Sequence, residues 1–246
     1  MLVIEYQVVH SRRKTLALQV KRGQVFVRAP YHLDEQQIHA FIHKKEAWLN
    51  AKIFEQLQTA EQCCQFNQGA TLLVFGQQVK LNIIYLNARK QPDVYLSSDT
   101  QQQQTLTIAF NQSQQTKWTT KLQQSLAVKK KIEAYFKAQA LDIIFPKVDY
   151  YARLTQLSPT NIKIRQYRAR WGSCNSKGEL SFNYLLMMLP VFVIDYVVIH
   201  ELCHLRHLNH SSDFWRLVAI YCPNFKEAKA WIKANQGALQ WRQPQA

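Results

Sequence analysis

The stretch that most constrains this fold is "VVIHELCHLRHLNHSSDFW", residues 197–215. Four of the chain's eight histidines and one glutamate fall there, between His200 and His210. At about 3.6 residues per turn, His200 and His204 stand one turn apart on one helix face, and Glu201 lies about 100° round from the first. The apolar VVI ahead of His200 places the start of this helix inside a core. Burying a carboxylate and two imidazoles without partners is costly, and a shared cation removes the difficulty. The spacing is HExxH, in which both histidines bind one Zn²⁺ and the glutamate stands beside the ion as a base. A histidine-rich amphipathic helix without metal is the plainer alternative, and ligand number and spacing together weigh against it.

A third ligand is needed, and two residues compete for the role. His207 follows His200 by seven positions, nearly on the same face but roughly 10 Å further along a straight helix. Three ligands in a row would not surround an ion. His210 follows Asn209, a residue suited to the left-handed turn that ends a helix, and a chain reversing there brings His210 back. The expected metal ligands are therefore His200, His204 and His210, with Glu201 catalytic. His39 and His43 also have i, i+4 spacing, but no third ligand lies near them and they read as ordinary surface or core histidines.

The rest of the chain alternates between β and helical patterns. Residues 2–30 read as strands, with "RGQ" as a turn and Pro30 as a stop. Residues 33–57 read as one amphipathic helix, N-capped by Asp34, with Ile38, Phe41, Ile42, Trp48 and Leu49 as its apolar stripe. Short β runs follow, "TLLVFG", "VKLNIIYL", "VYLSS" and "TLTIAF", interrupted by the low-complexity "SSDTQQQQT" at 97–105. From about Thr116 to Leu157 the pattern is helical, with Pro146 expected to break or kink it. "NIKIRQY" is a further strand. The expected class is α+β, with a β-rich region over 1–115 and a second domain over 116–246.

Composition bounds the setting. Apolar residues make up 47% and the cysteines number five, an odd count without a CxxC pair, so a reduced compartment fits better than a disulfide framework. The N-terminus lacks the basic-then-apolar order of an export signal. The longest apolar run, 185–199, is broken by Pro190 and Asp195 and is shorter than the roughly 20 residues a membrane helix needs. A cytoplasmic protein without a membrane partner is expected. The net charge of +15 would draw nucleic acid, nucleotides or an acidic partner, through "HSRRK", "VKKKIEAYFK" and "KIRQYRAR". A solubilising surface accounts for it equally well, and no base-reading signature accompanies it.

The segment "RARWGSCNSKGELSFNYLLMMLPVFVIDYVVIHELCHLRHLNHSSDFW" resembles the YgjP-like metallopeptidase family, related to SprT-like and other zincin peptidases. The marks are Trp171-Gly172-Ser173-Cys174, the "DYVVIHELCHL" helix and the "NHS" triplet at 209–211. The likeness is close over about 160–216, looser over 10–57, and carries nothing diagnostic over 60–130. It implies a zincin-like C-terminal domain, zinc on His200, His204 and His210, and Glu201 as the catalytic base cleaving peptides. Those histidines keep the HExxHxxGxxH spacing of metzincins, but His207 stands where that pattern has glycine, so the turn is built differently.

Around the motif, Trp171 is expected in the core and WGSC as a turn between two strands. Cys174 is open as a ligand, a nucleophile or a small buried residue, and Cys203 reads as buried and inert. "GELSFNY" is expected as an edge strand that holds an extended peptide substrate by main-chain bonds. Arg170, Tyr184 and Tyr196 are unranked candidates to stabilise an oxyanion. Two other function classes stay open: a metal-dependent nucleotide phosphohydrolase, and a nucleic-acid-associated protease.

Overall fold

The apolar–polar alternation of the first thirty residues produces three strands. They are described in a computed structural model covering residues 4–21, 23–62, 65–87, 94–100 and 103–241. Arg22 of the expected turn, Cys63, Cys64 and Gln101–Gln102 of the polar tract lie outside the described residues. Strands β1 (Tyr6–Ser11), β2 (Ala17–Lys21) and β3 (Gln24–Pro30) form a sheet in the order β1-β3-β2, with β1 parallel and β2 antiparallel to β3. Period-two spacing turns Val25, Val27 and Ala29 to one face, where they are buried with Ile38, Ile42 and Leu49.

Those last three come from two helices where the sequence predicts one. Helix α1 (Glu35–Lys44) and α2 (Glu46–Gln62) meet at Lys45, whose amide donates to the carbonyls of Ile42 and His43. Asp34 is the N-cap, accepting from the Gln37 amide at 2.7 Å while the Gln37 side chain bonds back to the Asp34 amide. The stripe 38–42–49 runs across the junction, so the tightened turn leaves the same face inward. Trp48, expected in that stripe, is 45% exposed, being one position and about 100° off the buried Leu49.

The chain divides into compact units Met1–Cys63 and Cys64–Ala246, whereas the sequence pattern suggested a division at 115/116. In the second unit, β4 (Thr71–Val74), β5 (Gln77–Leu86), β6 (Val94–Ser98) and β7 (Gln104–Asn111) form a sheet ordered β4-β5-β7-β6. After the short α3 (Gln112–Gln115), α4 runs unbroken from Lys121 to Thr155. Pro146 was expected to break or kink it. It removes one backbone bond, yet Ile144 and Val148 on either side of it are fully buried, and packing holds the helix together.

A third sheet carries the site. β8 (Asn161–Arg165), β9 (Gly172–Cys174) and β10 (Glu179–Asn183) are ordered β8-β10-β9. This corrects two expectations. WGSC is not a turn, since Gly172–Cys174 is itself a strand, and the "GELSFNY" strand is central rather than at the edge. Leu180 and Phe182 are fully buried, as suits a strand paired on both sides. A 3₁₀ turn (Tyr184–Met188) leads into α5 (Val191–Cys203), then α6 (Ser212–Tyr221) and α7 (Phe225–Ala234). An α+β architecture results.

The start of α5 is pinned by the β4–β5 turn. Amides of Phe75 and Gly76 donate to the carbonyls of Met187 and Met188 at 2.8 and 3.0 Å. Gly76 has φ of 80°, and a Cβ there would meet Pro190 Cγ at 2.4 Å, so only glycine allows this approach. One core joins Leu106 and Ile108 of the sheet, Ile132 and Phe136 of α4, and Val193 and Val198 of α5. No helix among the described residues is long and apolar enough to cross a membrane.

Candidate metal centre and active site

Helix α5 is apolar on nearly every side, which carries its polar C-terminal end to the bottom of a cleft. Glu201 and His204 are 6% and 9% exposed. The helix stops at Cys203 with His204 as C-cap, five positions before Asn209, the residue expected to end it. Tight turns end it instead: the amides of Leu205 and Arg206 donate to Leu202 and Cys203 carbonyls at 2.9 and 3.1 Å. Asn209 is not among the non-glycine residues with positive φ.

The reversed chain brings His210 back onto the helix end. His210 Nε2 lies 3.1 Å from His200 Nε2, and one nitrogen from each of His200, His204 and His210 falls within 4.8 Å of the others. The His207 ring is not in this group. Its carbonyl accepts from His204 Nδ1 at 2.9 Å, which fixes the His204 tautomer and leaves Nε2 with a free lone pair. On the other ring, the Tyr196 hydroxyl stands 3.5 Å from His200 Nδ1. Of the residues the sequence singled out, the three imidazoles and the Glu201 carboxylate therefore share one cleft wall and floor.

Two residues that sequence reasoning passed over hold the rings. Ser211 caps α6 by accepting from the Phe214 amide, and this fixes Phe214 and Trp215 directly against the histidines. Phe214 is fully buried, stacks on His204 at 4.5 Å, and meets His200 and His210 edge-on at 4.9 Å each. Trp215 stacks on His210 at 5.6 Å. An apolar–aromatic wall of this kind desolvates the imidazoles and holds their orientation.

Burial dominates the electrostatics. It pushes the His200 imidazole down to about 3, with the charges of His204, His210 and Lys229 adding to it. His204 is lowered too, by burial, with its bond to the His207 carbonyl opposing. Burial thus favours the neutral form of both rings, which is the form able to bind a metal. Burial raises the Glu201 carboxyl to about 8, and Arg170 pulls the other way.

The edge strand β9 packs beside α5 and closes on Glu201. A Cβ at Gly172 would lie 2.6 Å from Glu201 Cγ and 2.7 Å from its Oε1, so the carboxylate rests against a backbone with no side chain. Trp171, expected in the core, is partly buried and packs on the core from the cleft side. Cys174 is half-buried, and burial followed by Glu201 raises its thiol, which argues against a nucleophile. Burial likewise raises Cys203 to about 12. Asn183, 3% exposed, donates to the carbonyls of Tyr167 and Arg170 at 3.0 and 3.1 Å and so anchors the loop that forms the opposite wall. Of the oxyanion candidates, Arg170 and Tyr196 line the cleft, whereas Tyr184 is fully buried and is not among the lining residues.

Three comparisons with known proteins complete the description. No curated protein sequence matches this chain significantly. The crystal structure of the metallopeptidase zymogen of Pyrococcus abyssi abylysin aligns with 38% of this chain and 96% of its own at 22% identity, with a TM-score of 0.35. The YgjP-like, metallopeptidase domain family matches residues 14–235, nearly the whole chain, and the protein belongs to that family.

Proposed function

We propose that this protein is a zinc-dependent peptidase in which His200, His204 and His210 hold the ion and Glu201 is the general base. The observation that carries this reading is the convergence of three imidazole nitrogens within 4.8 Å beside a buried carboxylate. The donor set fits the ion on two grounds. Three neutral nitrogens suit zinc and leave a position for a reactant, as in catalytic zinc sites. The ring nitrogens of His200 and His210 also face one another at 3.1 Å, an arrangement that a shared cation makes favourable. Glu201 gives a further argument: its burial favours the neutral acid, and a nearby divalent cation restores the ionised form a base needs.

Zinc, when bound, supplies Lewis acidity at the peptide carbonyl and lowers the pKa of water. The chain's own residues do the rest. Glu201 takes a proton from the attacking water as the new C–O bond forms, then passes it to the departing amine as the C–N bond breaks. The His207 carbonyl and the Tyr196 hydroxyl hold the imidazoles, and Phe214 keeps water from their faces. Strand β9, at the edge of its sheet beside the cleft, is the segment to which an extended peptide would add as a strand. Arg170 and Tyr196 are the remaining candidates to stabilise the oxyanion.

The test is elemental analysis of protein purified without chelators, joined to hydrolysis of a fluorogenic peptide library. About one zinc per chain is expected. Glu201→Gln should keep that zinc and lose roughly 10²–10⁴-fold in turnover. Zinc near zero, or an active Glu201→Gln, refutes the assignment.

A further inference from the structure

The walls of the cleft carry charge of one sign. Arg168 and Arg170 stand on the loop wall and Lys229 and Lys233 on α7, while Glu201, on the floor, is the only carboxylate among the described lining residues. Lys229 and Lys233 are spaced i, i+4, so both project from one helix face, and Ile232 lines the cleft from the same face, with Gln236 just beyond the helix end. The cleft is about 820 Å³, large enough for several residues of a peptide.

What marks the arrangement is its place, with four cations on the walls of one cleft around a single carboxylate. Only some exposed or half-exposed cations elsewhere have carboxylate partners, among them Lys52 with Glu55, Lys163 with Glu179 and Arg216 with Asp213. None of the four cleft cations makes an ion pair with a described carboxylate. Two of them rest on aromatic rings instead. Lys229 Nζ lies 4.2 Å from the centre of the Trp215 ring, and the Arg170 guanidinium lies 5.2 Å from that of Tyr167. An aromatic face steadies a cation without neutralising it and leaves its N–H donors for a ligand. The imidazoles bring no negative charge, so a divalent ion would make the cleft more positive still. An anionic ligand would complement that charge.

Resting on the peptidase reading above, we infer that this site selects acidic peptides, with Asp or Glu side chains on both sides of the cleaved bond. One wall, Lys229 and Lys233, reads carboxylates at one end of the bound segment, and the other, Arg168 and Arg170, reads the other end. A peptide is favoured over another polyanion because β9 offers unpaired main-chain groups beside the same cleft, which a peptide backbone can match. Solvent-exposed charge pairs are each worth up to about a fivefold change in binding. Two acidic residues should give a preference of up to about twentyfold, falling as salt rises.

The test uses matched fluorogenic peptides that differ only in carrying Glu, Gln or Lys on both flanks, and compares kcat/KM ratios. An uncleavable copy of the Glu peptide, followed by fluorescence anisotropy, gives binding apart from turnover. The expected order is Glu above Gln above Lys. In Arg168→Glu/Lys233→Glu, two exposed positions without ion pairs, the walls carry two charges of each sign, and the preference for Glu over Gln should disappear in both assays. Peptides cleaved with no charge preference overturn this inference and leave the peptidase reading standing. If no peptide is cleaved at all, the peptidase reading itself fails. An oligonucleotide of equal charge that binds more tightly than the Glu peptide overturns the assignment to a peptide.

Discussion

Gly172→Ala separates the proposed catalytic base from the proposed metal site with one methyl group. The added Cβ would sit 2.6, 2.7 and 2.8 Å from Glu201 Cγ, Oε1 and Cδ. Non-bonded carbons prefer about 3.5–4.0 Å, so the carboxylate must retreat by about 1 Å. Gly172 is not among the positive-φ glycines, so alanine is tolerated by the backbone and the whole effect is steric. The atoms that must yield are the end of a flexible side chain rather than main chain, which puts the stability loss near the low end of overpacking, about 1 kcal/mol. A chain of this size would then melt about 2–4 °C lower. Catalysis is less forgiving, because a 1 Å misplacement of a catalytic group can cost about a hundredfold.

The assay has three readouts on one preparation: zinc per chain, thermal unfolding and kcat/KM on a peptide. The expected result is retained zinc, a small shift in Tm and about a hundredfold lower kcat/KM. Activity within twofold of the parent would refute the reasoning, since Glu201 could then move freely without consequence. Loss of zinc together with activity would refute it differently, by showing that β9 supports the imidazoles rather than the carboxylate.

Other substitutions test the remaining parts. His210→Ala should lose zinc and activity together, because two imidazoles cannot complete the site, while His207→Ala should keep both, since its contribution is a backbone carbonyl that alanine also has. Phe214→Ala removes a fully buried ring and should cost about 3–5 kcal/mol in denaturant unfolding, with weaker zinc binding in the folded fraction. Retained zinc affinity in that variant would show that the aromatic wall does not hold the rings. Asn183→Ala leaves the Tyr167 and Arg170 carbonyls without their donor and should cost about 1–3 kcal/mol, read the same way.

Much of this was legible in the sequence because it depends on local periodicity. The strands of the first sheet, the four runs of the middle sheet, and Asp34 as a cap follow from patterns two to four residues long. The grouping of the three imidazoles was legible for another reason: HExxH fixes two side chains on one helix, and straight-helix geometry removes His207. The route by which His210 returns was not. Asn209 offered a familiar stop signal, but the helix ends at His204, where turn bonds from Leu205 and Arg206 and the His204 ring itself satisfy the last carbonyls and bind the turn. The reversal therefore takes up six residues instead of one. Composition gives no warning of that, because no glycine or proline marks it.

The WGSC segment shows where periodicity fails and what other signal remains. A three-residue strand is too short to display alternation, and glycine followed by serine reads as a turn. Yet a glycine flanked by a large aromatic and a strand also signals close approach of another group to the backbone. Here the approaching group is the carboxylate of Glu201, from helix α5 further on in the chain. The alternative reading was available in Gly172 itself, but the identity of its neighbour was not, since that depends on β9 taking the edge position beside α5 while β10 takes the centre. The strand order carries a chemical consequence. An edge strand has free main-chain groups to offer a peptide, whereas a central strand has none. With β9 at the edge, the same backbone that presses on Glu201 is the one proposed to align the bond Glu201 acts on, so a displacement of this strand would disturb base and substrate together.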